Sequence, residues 1–393
     1  MPAPHKKHHT EKYPVDISYM IADLKYSARH GVKICEIQQA SVSMFNGDAF
    51  RNPEEASIHQ ELLRVLSDYN VNGWVVSEGM ADKNLVATLA DAPSWRNPKD
   101  MIDLFSNSHF KDQYTKPPKD KYDVSTYQGL LYISWSQLSA IYDFEKRLPG
   151  MVVLDHASFP FWIDKHRMTR LFAEDKLLST FKPKWGNYDK VYTRDLAARI
   201  ASDIGGDTFV IKPHGNFMGR GVIITAKKDL DKVVRYIITK KGELAKSKDP
   251  AYAAWKNDSS DSFIVEEFVM SDPIRLPHFE NKAYQPTMRV AFVLTYNKHR
   301  HHVHFLGGYW KTPEVSLDDV GDFMQKHKDI CEPPYYLAVD ADTMRTVQDQ
   351  LRVALPILHQ KMLQFQPTET EDWYAPVTSG GLQMIVRETT ANL

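Results

Sequence analysis

Residues Phe209-Val210-Ile211-Lys212 form a β-type apolar run that ends on a lysine. Pro213 follows, then a stretch spaced by Gly215, Gly219 and Gly221, and a second apolar run, Val222-Ile223-Ile224, begins at once. Two such runs joined by a short glycine-bearing loop predict a β-hairpin over about residues 208–225. Glycine lets backbone N–H groups approach an anion closely, and Lys212 would bring a point charge to the same anion. The order predicts a hairpin lid over phosphate and is the first indication that the chain handles a nucleotide. It is not a P-loop: no Gly-Lys-Ser/Thr is present, and a strand follows where a P-loop needs a helix.

The 393 residues suffice for two or three domains. A formal net charge of -1 gives no global field favouring nucleic acid or membrane. Cys35 and Cys331 are the only cysteines, too few for a disulfide scaffold, so a reduced, cytoplasmic setting is expected. Residues 1–14 read as a disordered His- and Lys-rich tail without the apolar core of a signal peptide. No uncharged apolar stretch is long enough to span a bilayer. Strands expected at 32–38, 74–77, 130–134 and 152–155 alternate with helices at 53–66, 100–105 and 136–147, which argues for a parallel, Rossmann-like sheet in a domain over residues 15–155. Beyond it the pattern changes. Helices are expected at 164–172, at 193–204 (ended by Gly205 and Gly206) and at 229–239. A charged stretch at 240–261 reads as an exposed excursion. A strand at 262–268, a long hairpin over 288–296 and 301–309, a helix at 342–365 interrupted by Pro356, and a last strand at 382–386 complete the series.

Five segments stand in a particular order: Ile163-Asp164-Lys165 opening a helix; the Lys212 hairpin; Val265-Glu266-Glu267-Phe268-Val269 ending a strand; Arg289 and Lys311 on paired strands; and Val386-Arg387-Glu388-Thr389-Thr390-Ala391-Asn392 at the chain end. This ordered set, over roughly residues 150–393, resembles the ATP-grasp superfamily. The resemblance implies a fold of class α/β and α+β, with a Rossmann-like pre-ATP-grasp domain at 15–155 followed by an ATP-grasp domain at 156–393. It implies that Lys165 and Lys212 contact ATP phosphates under a lid carrying Gly215, Gly219 and Gly221. Glu266 and Val269 match the hinge whose backbone meets adenine. Asp272 is the candidate for the ribose hydroxyls, one residue short of the usual position, which Pro273 occupies. Arg289 matches the basic residue facing the triphosphate, and Lys311 would stabilise a transferring phosphoryl group. Glu388 and Asn392, with Asp372 upstream, match the Mg2+ end of the fold, where hard oxygen ligands are required. The family's Glu-x-Asn spacing is altered there, because Thr390 stands at the asparagine position.

Read without the resemblance, the residues leave plainer alternatives open. Lys165 is then a solvated helix residue, Lys212-Pro213 a structural strand end, Glu266 and Glu267 solvated groups on an edge strand, and Lys311 a surface lysine. His299, His301, His302 and His304 are a solvated turn. The polar end of the first expected strand, Glu36 to Ser43, is a candidate substrate wall, since ligands of open α/β sheets bind at the carboxyl ends of strands. With the resemblance, the expected activity is an ATP- and Mg2+-dependent ligase that joins a carboxylate to an amine, from small molecules or a protein or peptide acceptor. A small-molecule kinase on the same fold, or a nucleotide-binding protein without turnover, are the alternatives.

Overall fold

A computed structural model of the chain describes residues 15–40, 45–52, 54–68, 72–75, 129–132, 151–155, 157–162, 164–215, 219–297, 300–330 and 332–365. Its strands, in chain order, are β1 (Val15–Ser27), β2 (Gly31–Gln39), β3 (Asn72–Val75), β4 (Gly129–Tyr132), β5 (Met151–Val153), β6 (Trp185–Asp189), β7 (Thr208–Lys212), β8 (Ile223–Ala226), β9 (Ser262–Glu267), β10 (Ile274–Leu276), β11 (Lys282–Tyr284), β12 (Thr287–Asn297), β13 (Arg300–Lys311) and β14 (Tyr336–Ala338).

The largest sheet has the order β14-β13-β12-β1-β2, and all its pairings are antiparallel. Side chains alternate between its faces. Ile17, Tyr19, Ile21, Ala291 and Val293 pack on one side with the helix Ile58–Asp68, while Met20, Ala22, Leu24, Val290 and Phe292 pack on the other. The second side is covered by the helix Ala341–Gln364, whose Val347, Leu351, Leu355 and Leu358 are fully buried and which contains Pro356. Burial on both faces explains why the apolar–polar alternation that opens β1 breaks at Tyr19-Met20-Ile21-Ala22, and the strand goes unrecognised in the sequence.

The strand expected at 32–38 is present as β2, but it does not open a parallel sheet. It forms an antiparallel hairpin with β1, which pairs along its length with β12. Residues near the start of the chain are thus built into a sheet with residues near 290 and 310, and a boundary at 155 does not separate them. The three other strands expected before residue 156 do form a parallel sheet, β3-β4-β5.

A third sheet, β6-β9-β7-β8, holds the predicted hairpin, with β7 and β8 antiparallel from Thr208↔Ala226 to Ile211↔Ile223. The helices Leu196–Ile204 and Leu230–Thr239 cover it through Ile200, Ile204, Val233 and Ile237. The stretch 240–261 is more than an exposed excursion: its Trp255 is fully buried in the same core, and the indole Nε1–H donates to the carbonyl of Gly221 at 2.8 Å. No helix among the described residues is long and apolar enough to cross a membrane.

Candidate functional site

One end of the large sheet is charged on the face that is otherwise apolar. Across the strands, Glu36 lies opposite Asp23, and Asp23 lies opposite Arg289. Gln38 follows Glu36 by two residues and shares its face, as Lys311 shares the face of Tyr309 on β13. The Arg289 guanidinium grips Asp23 in a two-pronged contact of 2.9 and 2.8 Å, and Lys311 reaches Asp23 at 2.9 Å and Asp329 at 2.8 Å. Burial alone would push the Asp23 carboxyl up, but Arg289 and Lys311 outweigh it and hold the group well below the usual carboxylate range. Asp329 is lowered in the same sense, burial again being overcome by Lys311 and Lys25. Lys25 donates to the Pro286 carbonyl at 2.9 Å. Lys311 is only 3% exposed, so it is no surface lysine.

The third sheet meets this end of the first through Glu266, 2% exposed near the end of β9, which runs between β6 and β7. Its two carboxylate oxygens take one lysine each, Lys182 at 2.7 Å and Lys212 at 2.6 Å. Both lysines also donate to the Cys35 carbonyl on β2, at 2.9 and 3.2 Å. Burial would raise the Glu266 carboxyl, yet Lys182 and Lys212 together lower it. Burial lowers Lys182, whereas for Lys212 the attraction of Glu266 overcomes burial and raises it. The opposite directions suit their settings, because Lys212 is also drawn by Glu36 while Lys182 is repelled by Lys212. Lys165, in the first turn of the helix Lys165–Ala173, reaches Glu36 at 3.3 Å. Its half-buried position replaces the solvated helix residue of the plainer reading.

The structure therefore gathers Lys165, Lys212, Glu266, Arg289 and Lys311, brings in Glu36 from the candidate substrate wall, and adds Asp23, Lys25, Lys182 and Asp329, which sequence reasoning missed. Six cations face four carboxylates. A signal for Lys182 did exist: like Lys212 it immediately precedes a proline at a strand boundary. A signal for Glu36 existed too, since Glu36-Ile37-Gln38 is a carboxylate and an amide two residues apart at a strand end.

The Glu266 side chain meets the two lysines, and its backbone is paired between β6 and β7. The Glu267 N–H donates to the Lys184 carbonyl and that of Phe268 to the Thr208 carbonyl, so backbone pairing with neighbouring segments continues through Phe268, just before Val269. The Asp272 carboxylate accepts from the Ala28 N–H at 2.7 Å and ties the segment after the hinge to the β1–β2 turn. Gly219 and Gly221 have φ of +67° and +78°, the left-handed region that favours glycine. Gly215 lies at the other end of the loop in open space. Asp372, Glu388 and Asn392, like the strand expected at 382–386, lie outside the described residues. Asp164, His166 and His214 each bring one ligand-type atom within 4.8 Å of the others.

No family model matches the chain, and no curated protein matches it. Among solved structures it is similar to the crystal structure of D-cycloserine synthetase DcsG, with 13% identity and a TM-score of 0.32, covering 74% of this chain and 81% of that one. At that level of likeness, the ATP-grasp resemblance stands on this chain's own residues.

Proposed function

We propose that the chain is an ATP- and Mg2+-dependent ligase that forms an amide-type C–N bond through an acylphosphate, releasing ADP and phosphate. One observation carries the reading. Lys165, Lys182, Lys212, Arg289 and Lys311 come from separate elements and converge, and each is paired with a carboxylate of the same cluster. A site rich in cations beyond its acids suits a polyanion that replaces the carboxylates as partner.

Glu36, Asp23 and Gln38 supply two carboxylates and an amide oxygen on one sheet face, the hard donor set that Mg2+ takes. This set answers the Glu-x-amide pattern, with an acid upstream, sought at Glu388 and Asn392, and we assign the metal role to it. Mg2+ bound there would neutralise phosphate charge and leave Arg289 and Lys311 to turn from Asp23 toward the phosphoryl group. Lys212 and Lys182 would hold the phosphates from the β7 side, and the loop bearing Gly215, Gly219 and Gly221 would close over them. Val269 and Met270 would meet the base. Catalysis in this arrangement is positioning and charge stabilisation, with no covalent protein nucleophile. The acid and amine substrates are small molecules, or an acceptor carried by a protein or peptide.

The test is Mg2+-dependent release of phosphate from ATP across a panel of acids and amines, with hydroxylamine as a trap for the acylphosphate. Amine-dependent phosphate release with a hydroxamate product supports the ligase. A stable phosphorylated product would identify a kinase, and ATP binding without turnover on any substrate would identify a binding protein.

A further inference from the structure

Beside the phosphate-facing cations, but separate from their carboxylates, three groups of a different chemistry meet. Asp164 caps the helix Lys165–Ala173: its Oδ1 accepts from the His166 and Arg167 N–H groups at 2.8 and 3.2 Å, leaving Oδ2 to point elsewhere. His166 stacks on His214 with ring centroids 5.1 Å apart and planes inclined by 18°. His214 follows Lys212-Pro213 at the base of the glycine loop, and its carbonyl accepts from the Lys165 N–H at 3.3 Å.

We infer that Asp164, His166 and His214 form a site for a borderline transition-metal dication such as Zn2+ or Co2+. The tautomer of His214 supports it. Asn187 donates through Nδ2 to Ser262 Oγ at 3.1 Å, so its Oδ1 is the acceptor facing His214 Nε2 at 2.9 Å. A ring proton on Nε2, which Asn187 Oδ1 and the Ser262 Oγ at 3.4 Å can both accept, leaves the Nδ1 lone pair to ligate, the outer-shell arrangement typical of metal-bound histidine. Two imidazoles and one carboxylate are a donor set that Zn2+ accepts and Mg2+ does not favour. With bonds of about 2.0–2.1 Å, a tetrahedral ion brings its ligands to roughly 3.4 Å of one another, so side-chain rotation must close the present spread of up to 4.8 Å. A bound ion would join His214, just past β7, to the helix bearing Lys165.

The experiment is a Co2+ titration of the full chain without nucleotide, followed by its visible absorption, with and without excess Mg2+. One Co2+ per chain is expected, resistant to Mg2+. The H166Q/H214Q double variant should lose it, and N187A, which contacts the ligand His214 but not the ion, should weaken it by about 10- to 100-fold. Unchanged binding in the double variant, or displacement of Co2+ by Mg2+, overturns the assignment. Because no ATP is present, such a failure leaves the ligase reading untouched.

Discussion

Glu266→Gln is the sharpest perturbation, because one carboxylate holds two buried lysines. The substitution keeps the shape of the side chain and removes its charge. Its amide oxygen can still accept from one lysine, but its NH2 group then faces the other at a contact now 2.6 to 2.7 Å long. Removing one partner of a buried ion pair costs about 3–5 kcal/mol, since the cation left behind stays desolvated. A urea-unfolding series should show a loss of that order. The pH dependence has a fixed sign. Glu266 has a folded pKa below its unfolded value, so its contribution is present above about pH 4.3, the ordinary glutamate value, and is lost as pH falls through the folded value. That acid-side loss should vanish in the variant. The same change adds one uncompensated positive charge where phosphate is expected, so affinity for inorganic tripolyphosphate, measured by calorimetry, should rise. If Glu266 instead read the adenine base, ATP affinity would fall while tripolyphosphate binding stayed constant. Wild-type stability, or that pattern of affinities, would refute the reasoning.

Lys212→Ala should weaken ATP binding by tenfold or more while Lys182 keeps Glu266 neutralised; unchanged calorimetric affinity would remove Lys212 from the phosphate site. Glu36→Gln should abolish Mg2+-dependent turnover with an unaltered circular dichroism spectrum, whereas Glu388→Gln should retain turnover. The reverse outcome would move the metal to the chain end. Trp255→Phe keeps a ring in the core but removes the hydrogen bond to the Gly221 carbonyl. It should cost about 1–3 kcal/mol in unfolding measurements, the penalty of an unmet buried acceptor, and lower turnover beyond that through the loop. His301 is held near pKa 4 by burial and by His359. The folded chain therefore takes up fewer protons than the unfolded one between about pH 6.5 and 4, and stability should fall as pH drops through that window. His301→Gln should flatten the slope, and an unchanged slope would rule out His301 as its source.

Local chemistry made much of this chain legible. The Lys212 hairpin, the helices over 165–173, 196–204 and 230–239, and the long β12–β13 pair follow from periodicity, capping and glycine placement within a few residues. So do the strands of the parallel β3-β4-β5 sheet. Lys212 stood out as the charged end of an apolar run, and Glu266, Arg289 and Lys311 through the ordered motifs of the resemblance. The partners themselves were not legible. Asp23 is 266 residues from Arg289 and 288 from Lys311, and no local pattern announces a pairing over such a separation. The metal motif expected at Asp372, Glu388 and Asn392 lies outside the described residues. Sheet order is decided by which edge strand a hairpin can pair with and which faces it can bury, and those bring the β1–β2 hairpin beside β12. The sequence by itself determined which residues carry charge and which segments become strands or helices. Only the tertiary structure decided that Asp23 and Glu36 from the first hairpin, and Lys182 from the turn before β6, share one site with them, because desolvated charges stay buried only where partners from distant strands neutralise them.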